Sequence, residues 1–200
     1  MKTAIKKLIA STFVAAAILT TTSGSFAQSK IKMEKGPLQP FNKVIVTGNA
    51  NVVLVQSEKE NIRIHDYSDR DQIKISQKGY NLYIDSKNND PAVIYVYVKD
   101  LHRIDASSNA KVKTQGDFNL NVLQIFLQDN AKADVNANVA SLYTNMKNKS
   151  NLKLAGSSKH HTLIKTDVIR LKMSDFAALK TDSTTIAETQ NIAAITSVSK

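Results

Sequence analysis

The chain has 200 residues, 27 Lys and Arg against 17 Asp and Glu, a formal net charge of +10 and no cysteine. The absence of cysteine excludes disulfides, thiolate metal sites and a lipid-modified cysteine at a cleavage site. The length suits one domain behind a leader, and the basic balance admits nucleic acid, anionic glycan or an anionic membrane surface as partners.

The leader comes first. Lys2, Lys6 and Lys7 precede an apolar run from Leu8 to Leu19, broken only by Ser11 and Thr12. A polar stretch then ends in Ser25-Phe26-Ala27, with small residues where a signal peptidase needs them. The run falls short of the ~20 residues of a membrane-spanning helix. Residues 1–27 are therefore predicted to be a signal peptide cleaved after Ala27, with no retained span. Removing Lys2, Lys6 and Lys7 from the total leaves +7. Export makes nucleic acid the least favoured partner.

Residues 28–40 carry Gly36, Pro37 and Pro40 and read as a linker or entry strand. From Phe41 the pattern becomes β-rich. Val44-x-Val46 alternates, Gly48-Asn49-Ala50 makes a turn, and Val52–Val55 is an apolar run. Ile62-x-Ile64, Ile73-x-Ile75 and Leu82-x-Ile84 follow, separated by polar turns, and then Ile94-x-Val96-x-Val98. Such close spacing predicts antiparallel hairpins or very short coils, a less regular N-terminal β region.

Four copies of one pattern come next. They are His102-x-Ile104-x-Ala106-x-Ser108-x-Ala110, Leu123-x-Ile125-x-Leu127-x-Asp129-x-Ala131, Leu142-x-Thr144-x-Met146-x-Asn148-x-Ser150 and Ile169-x-Leu171-x-Met173-x-Asp175-x-Ala177. Alternation predicts strand, and a short polar residue before a small one predicts a turn. Recurrence at 21, 19 and 27 residues predicts a solenoid. Val112 and Thr114, Ala133 and Val135, Leu152 and Leu154, and Leu179 and Thr181 are expected to point inward. Lys113, Asp134, Lys153 and Lys180 are expected to point outward. The stretch 156–168 before the fourth copy, with His160 and His161, reads as an enlarged loop or distorted coil. Residues 185–200, with Ile186, Ile192 and Ile195, read as a cap or frayed tail.

Phe41-Asn42-Lys43-Val44-Ile45-Val46-x-Gly48, Val52-Val53-Leu54-Val55-Gln56, Asn81-Leu82-Tyr83-Ile84 and Leu101-x-x-Ile104-x-Ala106-Ser107-Ser108, followed by the small-residue turns, resemble the bacterial GIN-domain family. That family is a domain of unknown function named as an auto-transporter adhesin head. The resemblance runs from Phe41 into the 180s. It implies an exported single-domain β-helix of a kind most often seen in the Bacteroidetes group. The turns depart from the Ser-Gly-Ser-Gly type common among relatives, because Ser107-Ser108-Asn109-Ala110, Gln128-Asp129-Asn130-Ala131 and Asn148-Lys149-Ser150 stand there.

Several constellations could carry function. The outward lysines Lys111, Lys113, Lys132, Lys153 and Lys180 are the best candidate binding surface, for an acidic polysaccharide or another envelope polymer. Their plain alternative is a solvated face that also discourages edge-to-edge aggregation. Tyr95 and Tyr97 share one face of a strand and form either a sugar platform or ordinary core. Asp129 and Asp175 would stand two coils apart, near the carboxylate separation of an inverting glycosidase. Turn chemistry explains Ser108, Asp129, Asn148 and Asp175 more simply. His160 and His161 lack further ligands at metal-binding spacing. No catalytic motif, cofactor site or metal site is identified.

The sequence thus predicts an all-β, right-handed parallel β-helix-like solenoid over residues 41–184 with a less regular N-terminal β region. The expected function is a non-enzymatic exported binding or adhesion module in the periplasm, at the cell surface or secreted. The alternatives are a carbohydrate-active enzyme on a β-helix and a purely structural envelope protein. The oligomeric state is open, since exposed coil ends could stack.

Overall fold

The structure is a computed structural model that describes residues 38–65, 72–87, 89, 93–166 and 169–187. The predicted signal peptide, the linker up to Pro37 and the tail from Glu188 lie outside the described residues. The described chain is all-β, with no α-helix. Its strands are β1 (Lys43–Gly48), β2 (Asn51–Gln56), β3 (Asn61–His65), β4 (Ile73–Lys78), β5 (Asn81–Ser86), β6 (Val93–Val98), β7 (Arg103–Ala106), β8 (Lys111–Gln115), β9 (Phe118–Leu127), β10 (Lys132–Met146), β11 (Asn151–Thr166) and β12 (Arg170–Ile186).

All twelve belong to one sheet. The short strands form two arms. One arm runs β3-β6-β2-β8 and the other β4-β5-β1-β7-β9. The arms join because β10 serves both: Lys132–Asp134 pairs with β8, and Ala137–Met146 pairs with β9. Strands β11 and β12 then repeat this bent path, each pairing in parallel with the one before. Only β3 and β4, at the ends of the two arms, pair antiparallel. They are the hairpin-like region expected of the N-terminal half.

The side chains facing inward stack by kind. Val44, Ile104, Ile125, Thr144 and Leu163 are successive partners on one arm. Ile94, Val52, Val112, Ala133 and Leu152 are successive partners on the other. All ten are buried. Burying an aliphatic side chain contributes about 1.5–3 kcal/mol relative to leaving it in water. A chain without disulfides rests on this core and on its ladder hydrogen bonds.

The expected turns form at four positions. Gly48, Ser108, Asp129 and Asn148 have φ of 71°, 61°, 60° and 57°. Short polar residues tolerate this left-handed region by bonding to nearby backbone. Asp129 does so across rungs: its Oδ2 accepts from the Ser108 N–H at 3.0 Å and its Oδ1 from Asn148 Nδ2 at 3.0 Å. The small residue after each turn is Ala50, Ala110, Ala131 or Ser150, and each is at most 1% exposed. Their carbonyls accept from Lys111, Lys132, Asn151 and Arg170 N–H respectively, which locks one rung to the next.

The fourth copy of the pattern is out of register. Leu171 pairs with Leu152, on the other arm from Leu142. The true continuation of Leu123 and Leu142 is His161, followed by Thr181. Residues Asn151–Thr166 are one continuous strand with a register irregularity, so up to Thr166 the stretch is the distorted coil of the two readings and not the enlarged loop. Asp175 stands mid-strand opposite Ala155 and is absent from the turn column. Leu179, expected inward, is 86% exposed. His102, also expected inward, is only half-buried and pairs with Asp100 at 2.9 Å, while Leu101 is the buried residue. Leu171 pairs with Leu152 ahead of any irregularity, so the pitch of the rungs seats the fourth copy on the β8 arm. A register shift between Lys153 and Ala155 and the bend at Gly156, with φ of 99°, then displace the residues that follow, Asp175 and Leu179 among them.

Two predictions follow from the packing. A Cβ at Gly156 would overlap the Ala137 backbone, whereas one at Gly116, with φ of 78°, meets nothing within 4 Å. Gly156→Ala is expected to cost about 2–4 kcal/mol in urea denaturation, and Gly116→Ala only about 1 kcal/mol from its backbone strain. His161 is 1% exposed, and burial holds its pKa below the ordinary imidazole value of 6.5. Its Nε2 lies 3.1 Å from Thr144 Oγ1, and its Nδ1 is unpartnered. The unfolded chain therefore takes up the imidazole proton more readily than the folded one. The stability from neutral His161 is complete above the unfolded pKa and is lost as pH falls through the folded one. A denaturant midpoint that drops below about pH 6.5, with a shallower drop in His161→Leu/Thr144→Val, is the expected result.

Candidate functional site

Outward positions are free of the constraints that govern the core, so chemistry must be sought there. On the β2/β8 arm they form two cationic rows. The first is Asn51, Lys111, Lys132, Asn151 and Arg170. The second is Tyr95, Val53, Lys113, Asp134, Lys153 and Lys172. Neighbouring members sit on adjacent strands, about 4.8 Å apart along the stack. The acid in these rows, Asp134, is held by Lys153 at 3.7 Å. Five cations then remain in these two rows beside one partly neutralised pair: Lys111, Lys113, Lys132, Arg170 and Lys172.

The expected lysine candidates Lys111, Lys113, Lys132 and Lys153 come together here. Lys180 does not. It pairs in register with His160 on the other arm and forms an ion pair with Asp182 at 3.2 Å. Lys172 takes the place expected of Lys180, and Arg170 and Arg63 are cations that sequence reasoning missed. Tyr95 and Tyr97 lie on this same outer face, beyond Val53 and Val55. Arg63 caps the end of the face, with its guanidinium carbon 5.4 Å from the centre of the Tyr97 ring. The two tyrosines are half-buried, and thus neither core nor open platform.

The other arm presents a different surface. Tyr83, Ile45, Asp105, Phe126, Asn145 and Ile164 are successive outward partners. Arg103 lies over Phe126 at 3.8 Å from the ring centre, and Phe126 meets Tyr143 at 5.5 Å. At the β4 end of this face a cavity of about 290 Å³ is lined by Ile45, Thr47, Lys74, Ser76, Tyr83 and Asp85. Within it Thr47 Oγ1 donates to Asp85 Oδ1 at 2.7 Å. This face was illegible in the sequence, because Phe126 sits inside an apolar run and its cover, Arg103, comes from the neighbouring rung.

The remaining candidates separate. Asp129 serves the turn column and Asp175 is mid-strand, so they do not face each other as stacked carboxylates. His161 is buried and His160 exposed, as alternation along a strand requires. Among the described residues no three His, Asp or Glu side chains gather as metal ligands, and no helix is long and apolar enough to cross a membrane.

With this geometry in hand, comparison with known proteins places the chain in a family. A family model described as "Putative auto-transporter adhesin, head GIN domain" matches residues 40–196, and the chain belongs to that GIN-domain family. The fold also matches crystal structures. A "putative adhesin" from Bacteroides fragilis NCTC 9343 is 16% identical with a TM-score of 0.63, over 75% of this chain and 73% of that one. A "putative lipid binding protein" from Parabacteroides distasonis ATCC 8503 is 13% identical with a TM-score of 0.54, over 74% and 76%. A "putative adhesin" from Parabacteroides merdae ATCC 43184 is 16% identical with a TM-score of 0.53, over 74% of each chain. At such identities the likeness speaks for the fold alone. No protein of curated function matches the chain.

Asp105 gives this second face a pH signature. Burial raises its pKa above 3.8, and the Arg103 charge pulls it partly back. A raised carboxyl contributes its stability while protonated and loses it as pH rises through the folded pKa. Asp105→Asn is therefore expected to raise the thermal midpoint at neutral pH, with the difference from wild type closing as the buffer is taken down towards pH 3.8.

Proposed function

We propose that this protein is an exported, non-enzymatic binding or adhesion module of the cell envelope. Its β2/β8 arm would engage an anionic polymer, with acidic polysaccharide the best-fitting class. The scaffold is read as a right-handed parallel β-helix-like solenoid, with the right hand taken from the general handedness of parallel crossovers. The observation that carries the reading is the alignment of Lys111, Lys113, Lys132, Lys153, Arg170 and Lys172 on one face, with Asp134 the acid in the same rows. Cations repeated at strand spacing on a rigid sheet meet a polyanion without a backbone ordering cost on the protein side. Membership of an adhesin-head family supports the general reading without naming a ligand.

The test is binding of the purified protein to immobilised polygalacturonate, with neutral dextran as control, at low and high salt. Binding to the acidic polymer that weakens as salt rises is expected. Replacing Lys113, Lys153 and Lys172 together by Glu should weaken it by at least about tenfold, while Lys180→Glu should leave it unchanged. Equal loss in both variants would remove the face from consideration.

A further inference from the structure

The last rung of the stack is unfinished. Among the described residues strand β12, of 17 residues, pairs only with β11, so its other edge has no described partner strand. At the far end of the sheet the arms close with antiparallel strands of five and six residues. The core is open at β12 as well. Leu171, Met173 and Phe176 are only partly buried, while Leu152 and Leu154 one rung below are 0% and 2% exposed. Thr181 and Ser183 are exposed above the buried His161 and Leu163. Long, open, apolar edges of this kind are ready templates for pairing.

The pattern along β12 identifies the occupant. Between Leu171 and Ser183 its core-facing residues are Leu171, Met173, Phe176, Ala178, Thr181 and Ser183; Ile169 and Ile186 lie outside this central stretch. They lie six, four and one residues before Ala177, and one, four and six residues after it. The order is therefore symmetric about Ala177, which sits beside the bend where the two arms meet. One charged pair shares the same centre. Lys172 is five residues before Ala177 and Asp182 five after, both facing outward.

We propose that a second copy of this chain pairs antiparallel with β12 across a twofold axis at Ala177. Opposed residues of an antiparallel pair face the same side. This register sets Leu171 against Ser183 of the partner subunit, Met173 against Thr181 of the partner subunit, and Phe176 against Ala178 of the partner subunit. Each core-facing position between Leu171 and Ser183 thus meets another. Lys172 meets Asp182 of the partner subunit on the outer face, twice by symmetry. A slip of one residue would set core-facing positions against outward ones. A twofold interface of this kind closes on itself, so the edge is consumed without forming a fibre.

Sedimentation equilibrium of the full chain tests this, with charge exchange at one pair. Wild type is expected to be a dimer. Asp182→Lys should raise the dissociation constant by at least about tenfold, and Lys172→Asp/Asp182→Lys should restore it. Lys180 and Asp182 are 63% and 64% exposed, so losing their ion pair should leave the thermal midpoint and the circular dichroism spectrum intact. A wild-type monomer would overturn the proposal, and one with β12 amides protected from hydrogen exchange would give the edge to another segment of the same chain. A dimer indifferent to Asp182→Lys would overturn it as well.

Discussion

Parallel pairing at a nearly constant pitch is the constraint on which the rest of this molecule depends. Each rung hydrogen-bonds to the rung before it, so every side chain must suit its equivalents above and below. Inward slots then become columns of one kind, such as Val44, Ile104 and Ile125. The point where the path turns must also recur in each rung. A left-handed residue is needed there, and Gly48, Ser108, Asp129 and Asn148 supply it. Asp129 shows how the cost of that conformation is offset, because its two oxygens bond to the rungs on both sides. A side chain that relieves local strain thereby also fixes the stacking register.

Much of this was legible in the sequence, since a short polar residue followed by a buried Ala or Ser marks a turn that nothing else in a strand would demand. The first three copies were located correctly for that reason. The fourth lies on the other arm, with Leu171 beside Leu152. Ile169-x-Leu171-x-Met173 alternates as well as Leu123-x-Ile125-x-Leu127, but alternation is the same on both arms. Only the pitch tells the arms apart, and the pitch pointed to His161, a polar residue in an apolar column. The column accepts it because Thr144 offers a hydrogen bond and Phe176 an edge-on ring at 5.4 Å. The register shift at Lys153/Ala155 then moves the following strand by one residue, which no periodicity announces.

The same error propagated to the candidate site. Lys113, Asp134 and Lys153 were correctly aligned, because they lie before the shift. Lys180 was assigned by counting from the misplaced fourth copy, and Lys172 is the residue that completes the row. The aromatic face was missed for a different reason. Phe126 looks like core in an apolar run, and its outward placement depends on Arg103 covering it from another rung. Pairings of that sort are tertiary and leave no trace in local pattern.

The contrast between the two arms is what favours a binding face over a merely solvated one. Charge placed for solubility alone has no reason to prefer one arm, since both meet water. On the β9 arm the outward rows read Val122-Ser141-His160-Lys180, Gln124-Tyr143-Thr162-Asp182 and Phe126-Asn145-Ile164-Thr184. The Lys and Asp in those three rows, Lys180 and Asp182, neutralise each other. On the β8 arm the rows Lys111-Lys132-Asn151-Arg170 and Lys113-Asp134-Lys153-Lys172 hold six cations and one acid. Like charges opposed across adjacent strands, as Lys111 and Lys132 are, repel and destabilise the sheet. The other arm holds one such pair, Lys43 opposite Arg103, whereas the β8 arm holds two, Lys111 with Lys132 and Lys153 with Lys172, and a polyanion laid along those rows would relieve them.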